Sequence, residues 1–324
     1  MKRTGQAKVA VLGASGIGKH HANWWNMEGA DVCAFLGSTP ESVEATAGKL
    51  SSMFGFQGRG YTDLAALLET EAPDIVDVCT PPEMHFAHAR QALEANCHVL
   101  CEKPFVYDRK LADEVMIGEA RELVEFAATK NRQFGVCTQY VLSGRECFRL
   151  WREQRPDTPL DAFTGYLVSP IRGRAPDASR TWVDLAPHML GALRAIEPQG
   201  DIDWDSLQLD FEHHRGRARF SFVRPDSTAV TCDIHTDHRD TEPKNVRQMT
   251  FNDDLFDIGG FNDENGVFQS EIRSPWGTTE RPDFMRLLIR DFLGGKVDVT
   301  GPMGLRNLDW MLTVLAAVRR KGEG

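Results

Sequence analysis

The stretch VLGASGIGKHH, residues 11–21, carries the first chemical signal in the chain. Glycines at positions 13, 16 and 18 break an apolar run and open a segment of helical spacing, the setting in which a glycine loop is informative. Such a loop can cradle a pyrophosphate. Gly13 would make the tight turn, and Ser15 and Gly16 would let the backbone approach the phosphates. Gly18 would let the helix pack against the strand. The helix start supplies unpaired N–H groups and a positive dipole. Gly13, Ser15, Gly16, Ile17 and Gly18 are therefore expected to contact a dinucleotide, with Ser15 standing where the middle glycine of GxGxxG usually lies. The next strand-like run, AFLGSTP, bears on which dinucleotide. An NAD site usually ends this strand in an acid that holds the ribose 2′-hydroxyl. Gly37 stands there instead, and Ser38 and Thr39 could hydrogen-bond a 2′-phosphate. NAD(P) is the expected cofactor, with NADP favoured over NAD; a plain turn before a helix would suit either.

Such a loop works only if strands and helices alternate around it. KVAVLG, DVCAFL, DIVDVCT and HVLCEK are short apolar runs bounded by turn residues, with helical segments such as DLAALLETE between them. That pattern predicts a parallel sheet covered on both faces. A long helical segment from about residue 109 to 130 leads to a further strand, FGVCTQY. The second half changes character. LQLDFEHH, RARFSFVR, TAVTCDIHT, QMTFNDD and FQSEIRS alternate apolar and polar residues, as an antiparallel sheet with one wet face requires. Two helices, PDFMRLLIRDFLGG and GLRNLDWMLTVLAAVRRK, follow. The expectation is an α/β chain with a Rossmann doubly wound parallel sheet over residues 1–140. An α+β domain on a large, mostly antiparallel sheet would occupy residues 141–324, serving substrate binding and oligomerisation.

Size and composition agree with two soluble domains: 324 residues, 41% apolar and 26% charged. A net charge of −10 disfavours nucleic acid as a partner. No apolar run is long enough to span a membrane, and the apolar run near the N-terminus is too short for a secretion signal. The seven cysteines lack any C-x-x-C pair and mostly sit in apolar runs, which reads as reduced thiols in a cytoplasmic protein.

Residues 79–105, CTPPEMHFAHARQALEANCHVLCEKPF, are the most specific stretch. With the glycine loop they resemble the glucose–fructose oxidoreductase/inositol dehydrogenase/MocA (Gfo/Idh/MocA) family. Thr80-Pro81, His85 and Glu102-Lys103-Pro104 match its signature, and His21 matches its histidine after the loop. The resemblance implies cofactor contacts from Thr80, Pro81, His85, Glu102 and Lys103. It also makes Lys103 the group that holds the reacting oxygen, at the end of a parallel strand where ligands of open α/β sheets bind. In the second half it picks out Asp184 and His188, four residues apart in WVDLAPH, and places them at the start of a helix with Pro187 in its first turn. Asp184 would then orient the site, or only cap the helix. Small residues Gly191, Ala192 and Ala195 on the side of His188 would leave room for a ligand, and His188 would be a neutral general base. Gln139, Tyr140, Arg172 and Trp182 are the expected substrate contacts, with Arg174 and Arg180 near by.

The implied activity is an NAD(P)-dependent oxidoreductase moving hydride at a secondary alcohol or ketone of a sugar, cyclitol or related polyhydroxy compound. A dinucleotide-sensing regulator, and a lyase or glycosidase using the nicotinamide transiently, are the alternatives. A short-chain dehydrogenase is excluded by the absence of Tyr-x-x-x-Lys: Ala65, Leu111, Gly144 and Pro170 follow the four tyrosines at that spacing. His213, His214, His235 and His238 read as surface residues, and no metal site is expected. Relatives pair through the second-domain sheet, and Phe220, Phe222 and Val230 read as partly apolar outward residues. A homodimer or homotetramer is therefore expected.

Overall fold

The computed structural model describes residues 6–322. The chain divides into two compact units, Met1–Cys137 with Met285–Leu308, and Thr138–Phe284 with Asp309–Gly324. The split expected near residue 140 is thus modified: one C-terminal segment belongs to the first unit. There Val136 N–H donates to the Val299 carbonyl, and Phe292 packs edge-on against Trp25. Nothing local in the sequence announces that return.

The first unit alternates strictly. In chain order come β1 (Lys8–Leu12), α1 (Gly18–Met27), β2 (Asp31–Leu36), α2 (Pro40–Phe54), β3 (Arg59–Tyr61) and α3 (Leu64–Glu71). There follow β4 (Ile75–Val78), α4 (His85–Glu94), β5 (His98–Glu102), α5 (Asp113–Thr129) and β6 (Phe134–Cys137). The sheet order is β3-β2-β1-β4-β5-β6, parallel throughout, which is the doubly wound arrangement with its switch point between β1 and β4. Central strands are apolar on both faces because helices cover both: Val9, Ala10, Val11, Leu12, Val76 and Val99 are fully buried. One residue breaks that rule. Asp77, in the middle of β4, is also fully buried.

The second unit runs α6 (Tyr140–Gln154), β7 (Ala162–Ser169), α7 (Ala178–Ile196), β8 (Asp201–Glu212), β9 (Arg215–Val223) and β10 (Ala229–His238). It continues through β11 (Val246–Phe251), β12 (Asp254–Asn262), β13 (Phe268–Ser274) and β14 (Gly277–Pro282). Of the last helices, α8 (Phe284–Leu293) falls almost wholly in the segment of the first unit, and α9 (Gly301–Gly322) is divided between the two. Eight strands form one sheet, β14-β13-β12-β11-β7-β10-β9-β8, antiparallel except where β7 lies parallel to β10. Burial alternates along β7, β9 and β10, so one face packs and the other does not. Phe220, Phe222 and Val230 lie on the packed face, at most 3% exposed. They fill the core rather than the outer surface, which removes the apolar argument for self-association. The opposite face is polar, with the Arg217 guanidinium donating to Asp233.

All seven cysteines are buried free thiols. Among the described residues no helix is long and apolar enough to cross a membrane.

Candidate active site

In the first unit the glycine loop joins β1 to α1. Gly13 has φ +87°, and a Cβ there would lie 2.7 Å from the Cys79 carbonyl oxygen and 2.9 Å from Thr80 Cα. A Cβ on Gly18 would lie 2.6 Å from the Gly13 carbonyl oxygen, so α1 starts hard against the turn. At Gly16 a Cβ would meet nothing within 4 Å, and Ser15, Gly16 and Ile17 are exposed. No side chain caps the start of α1. Its first amides therefore lack the side-chain partner most helices supply, as a phosphate-binding turn requires. The cradle fits a dinucleotide pyrophosphate.

These features yield a contrasted expectation. Gly13→Ala should lower stability by about 1–3 kcal/mol through strain at positive φ and the clash with the β4 end. Gly16→Ala should leave stability within about 0.5 kcal/mol yet weaken dinucleotide binding, because its methyl points into the open cradle. Thermal melts and a nucleotide titration read both; equal melting points for the two variants would contradict the geometry.

Because β1, β4 and β5 are neighbours, the loop, Thr80-Pro81 and Glu102-Lys103 all lie at adjacent strand ends. The β5 end is braced from two directions. His85, 1% exposed, sets Nδ1 3.0 Å from the Pro104 carbonyl oxygen and Nε2 2.8 Å from that of Thr80. Burial lowers its pKa, against the pull of those carbonyls. With both ring nitrogens against backbone carbonyls, a neutral His85 donates to one of them and packs against the other, filling the space between the two loops. Lys103 N–H donates to Glu102 Oε2 at 2.9 Å. Thr80 Oγ1 lies 3.1 Å from His88 Nδ1. At the end of β2, Thr39 is the N-cap of α2, accepting from Ser42 N–H at 3.2 Å. Ser38 is exposed beside it.

In the second unit Thr138, Tyr140 and His188 meet. Thr138 Oγ1 lies 2.8 Å from His188 Nδ1, and the Tyr140 ring lies 4.7 Å from the imidazole, centre to centre. Thr138 is 1% exposed. That bond orients the ring, so proton exchange with a ligand would run through Nε2. Gln139 and Tyr140 are not at a strand end as expected: Gln139 is the N-cap position of α6 and Tyr140 its first residue.

Asp184 and His188 lie in the middle of α7, not at its start. The helix begins at Ala178, where Asp177 accepts from Arg180 N–H at 2.8 Å. Asp184 is therefore no N-cap, Pro187 is internal, and the helix start lends His188 no dipole. An internal proline has no N–H for the carbonyl of Val183 four residues back. Nor does Ala192 make room for a ligand: a Cβ on Gly144 would lie 3.0 Å from Ala192 Cβ, so Ala192 seats α7 against α6.

Trp182 is fully buried against Phe211, which makes it a core residue and not a substrate contact. Arg172 is exposed in a loop with φ +54°, and the structure joins it to neither Asp184 nor His188. Arg174 is the arginine that reaches Asp184, at 3.6 Å, while Arg180 pairs with Asp177 at 3.8 Å. His238, expected on the surface, is 3% exposed. It sets Nε2 3.2 Å from Asp184 Oδ2 and Nδ1 3.2 Å from Thr181 Oγ1. Sequence reasoning misses it; its signal is the alternation of β10, which turns positions 234, 236 and 238 inward. His235 stays partly exposed, 2.9 Å from Asp233.

Residues 7–138 match the profile of the oxidoreductase family with an NAD-binding Rossmann fold, GFO_IDH_MocA. This part of the chain belongs to the Gfo/Idh/MocA family. Over 137 residues the protein is 33% identical to D-glucoside 3-dehydrogenase of Escherichia coli, covering 41% of this chain and 37% of that one. Over 115 residues it is 32% identical to UDP-N-acetylglucosamine 3-dehydrogenase of Acidithiobacillus ferrooxidans, covering 36% and 34%. The matched stretch thus spans little more than a third of either curated relative. Beyond it the likeness is one of fold. The solved structure of that Acidithiobacillus enzyme superposes with TM-score 0.71 at 19% identity, over 95% of this chain and 96% of its own. Myo-inositol 2-dehydrogenase from Lactobacillus plantarum does so with TM-score 0.71 at 18% identity, over 98% of each. Both units therefore share the fold of these two dehydrogenase structures, and the motif residues of the first lie within the segment that matches the family profile.

Proposed function

We propose that the protein is an NAD(P)-dependent oxidoreductase acting on a secondary alcohol or ketone of a sugar, cyclitol or related polyhydroxy compound. The observation that carries this reading is the placement of the glycine cradle, Thr80-Pro81 and Glu102-Lys103 at the ends of the successive parallel strands β1, β4 and β5, in a segment matching an NAD-binding oxidoreductase family. The named relatives act on sugars and inositol, which supports the substrate class.

Gly13, Ser15, Gly16, Ile17 and Gly18 would hold the pyrophosphate, and Thr80, Pro81 and Glu102 the nicotinamide half. The bound dinucleotide supplies the hydride acceptor or donor. Lys103 holds the reacting oxygen and stabilises the negative charge that builds on it. His188 exchanges the hydroxyl proton through Nε2, its Nδ1 steadied by Thr138. Asp184, fixed by His238 and Arg174, binds a substrate hydroxyl. The absence of an acid at Gly37 supports NADP; the capping role of Thr39 leaves Ser38 alone to meet a 2′-phosphate. The reading extends to a homodimer or homotetramer, which a concentration-independent monomer mass would end.

The test is a fluorescence titration with NADH and NADPH, followed by a panel of polyols and sugars read at the absorbance of the reduced cofactor. Binding of one cofactor and its reduction by a panel member are expected. Binding of neither would end the reading.

A further inference from the structure

We propose that buried His21, held between Asp77 and Glu102, is a positioning residue that fixes the Glu102 carboxylate and through it the backbone of Lys103. The inference rests on the reading that Lys103 holds the reacting oxygen. His21 projects from α1, one turn past the glycine loop, and is fully buried. Its Nδ1 donates to Asp77 Oδ2 at 2.9 Å, and its Nε2 lies 3.2 Å from Glu102 Oε1. The Nε2 angle falls outside hydrogen-bond geometry, so that contact is an ion pair. The other oxygen of Glu102 accepts from Lys103 N–H. Glu102 is thus gripped at both oxygens, by the imidazole below and the lysine backbone above.

Asp77 is what makes the grip possible. A fully buried carboxylate is costly unless paired and hydrogen-bonded. Asp77 Oδ2 accepts from Trp25 Nε1 at 2.6 Å as well as from His21, and Oδ1 accepts from the Cys79 thiol at 3.4 Å. Those partners donate, so both oxygens of Asp77 are hydrogen-bonded. Burial opposes a charged imidazole, but the groups facing it, Cys79, Asp77 and Cys137, together with the hydrogen bond to Asp77, outweigh burial and raise the His21 pKa well above its usual value. The Cys79 and Cys137 thiols are themselves pushed up by burial, Cys137 to about 12, and are neutral at neutral pH. With both thiols neutral, the charge left to keep the proton on His21 is the Asp77 carboxylate that Nδ1 donates to. A charged imidazole between two carboxylates holds both where a neutral ring would hold one.

The raised pKa has a sign. The folded state binds this proton more tightly than the unfolded state does. The resulting stability is complete below about pH 6.5 and fades as pH rises through the raised value. His21→Gln should remove that part of the alkaline loss.

The decisive measurement is the protonation of the ring in the whole protein, read from ¹⁵N-histidine spectra and assigned by the signals missing from His21→Gln. Both nitrogens are expected to carry protons at pH 7–8, with Asp77→Asn losing one while keeping the Trp25 bond. A neutral His21 ring at pH 7 would overturn the proposal whether or not turnover is observed. On turnover, His21→Gln is expected to lower kcat about 10–100-fold, the size of effect a small misplacement of a reacting group produces. Dinucleotide affinity should stay within about threefold. On a Lys103→Ala background the same change should cost less than threefold, because the group it positions is gone. A full independent loss there would mark a merely structural role and sink the idea. If Lys103→Ala alone leaves turnover intact, the role of that lysine fails while the spectra still decide the brace. If His21→Gln does not fold, Asp77→Asn carries both readouts.

Discussion

Lys103→Ala is expected to lower kcat about 10²–10³-fold, the usual loss when one preorganised donor to a developing oxyanion is removed. The lysine sits directly after β5, at a strand end adjacent to the glycine cradle's strand-neighbour β4. Its proposed role is to meet charge that appears only as hydride transfers, so the loss should fall on kcat rather than on cofactor binding. Dinucleotide affinity should change by less than about threefold. Lys103→Arg should not restore the rate, because a planar guanidinium presents its donors in a different geometry from a compact ammonium. Steady-state kinetics beside a nucleotide titration separate the outcomes. Unchanged kcat would remove Lys103 from the chemistry; a parallel collapse of cofactor affinity would make it a binding residue only.

His188→Gln is expected to cost about 10²–10⁴-fold, the range for loss of a positioned general base. The residual rate should lose the acid limb of its pH profile, since no imidazole is left to protonate. Thr138 adds a discriminating control. It bonds Nδ1 at 2.8 Å from a buried position, so Thr138→Val should leave the imidazole in place but free its ring orientation. A partial loss is expected there, about tenfold, with the acid limb retained. An intact acid limb in His188→Gln would assign the proton transfer to another group.

What the chain makes legible is local chemistry. The loop of residues 13–18, the Thr80-Pro81 turn and the Glu102-Lys103 strand end each declare themselves within a few residues, since a turn at positive φ or a helix start needs particular residue types near by. The alternating burial of β9 and β10 is legible for the same reason. What stays hidden depends on partners distant in sequence. Asp77 looks like one polar residue in an apolar strand until α1 places His21 and Trp25 against it. His238 looks like a surface histidine until β10 ends beside Thr181 and Asp184. Pro187 suggests the first turn of α7, while Asp177 caps that helix well upstream. Trp182 and Ala192 stand close to Asp184 and His188 in sequence yet pack against Phe211 and α6, a distinction periodicity alone cannot make.

The most direct test follows the hydride itself. The protein is incubated with oxidised cofactor and a polyol deuterated at the reacting carbon, and the nicotinamide is then examined by NMR. Deuterium at C4, in amount equal to the ketone formed, is the predicted result. Consumption of the polyol with no label in the cofactor would contradict the account.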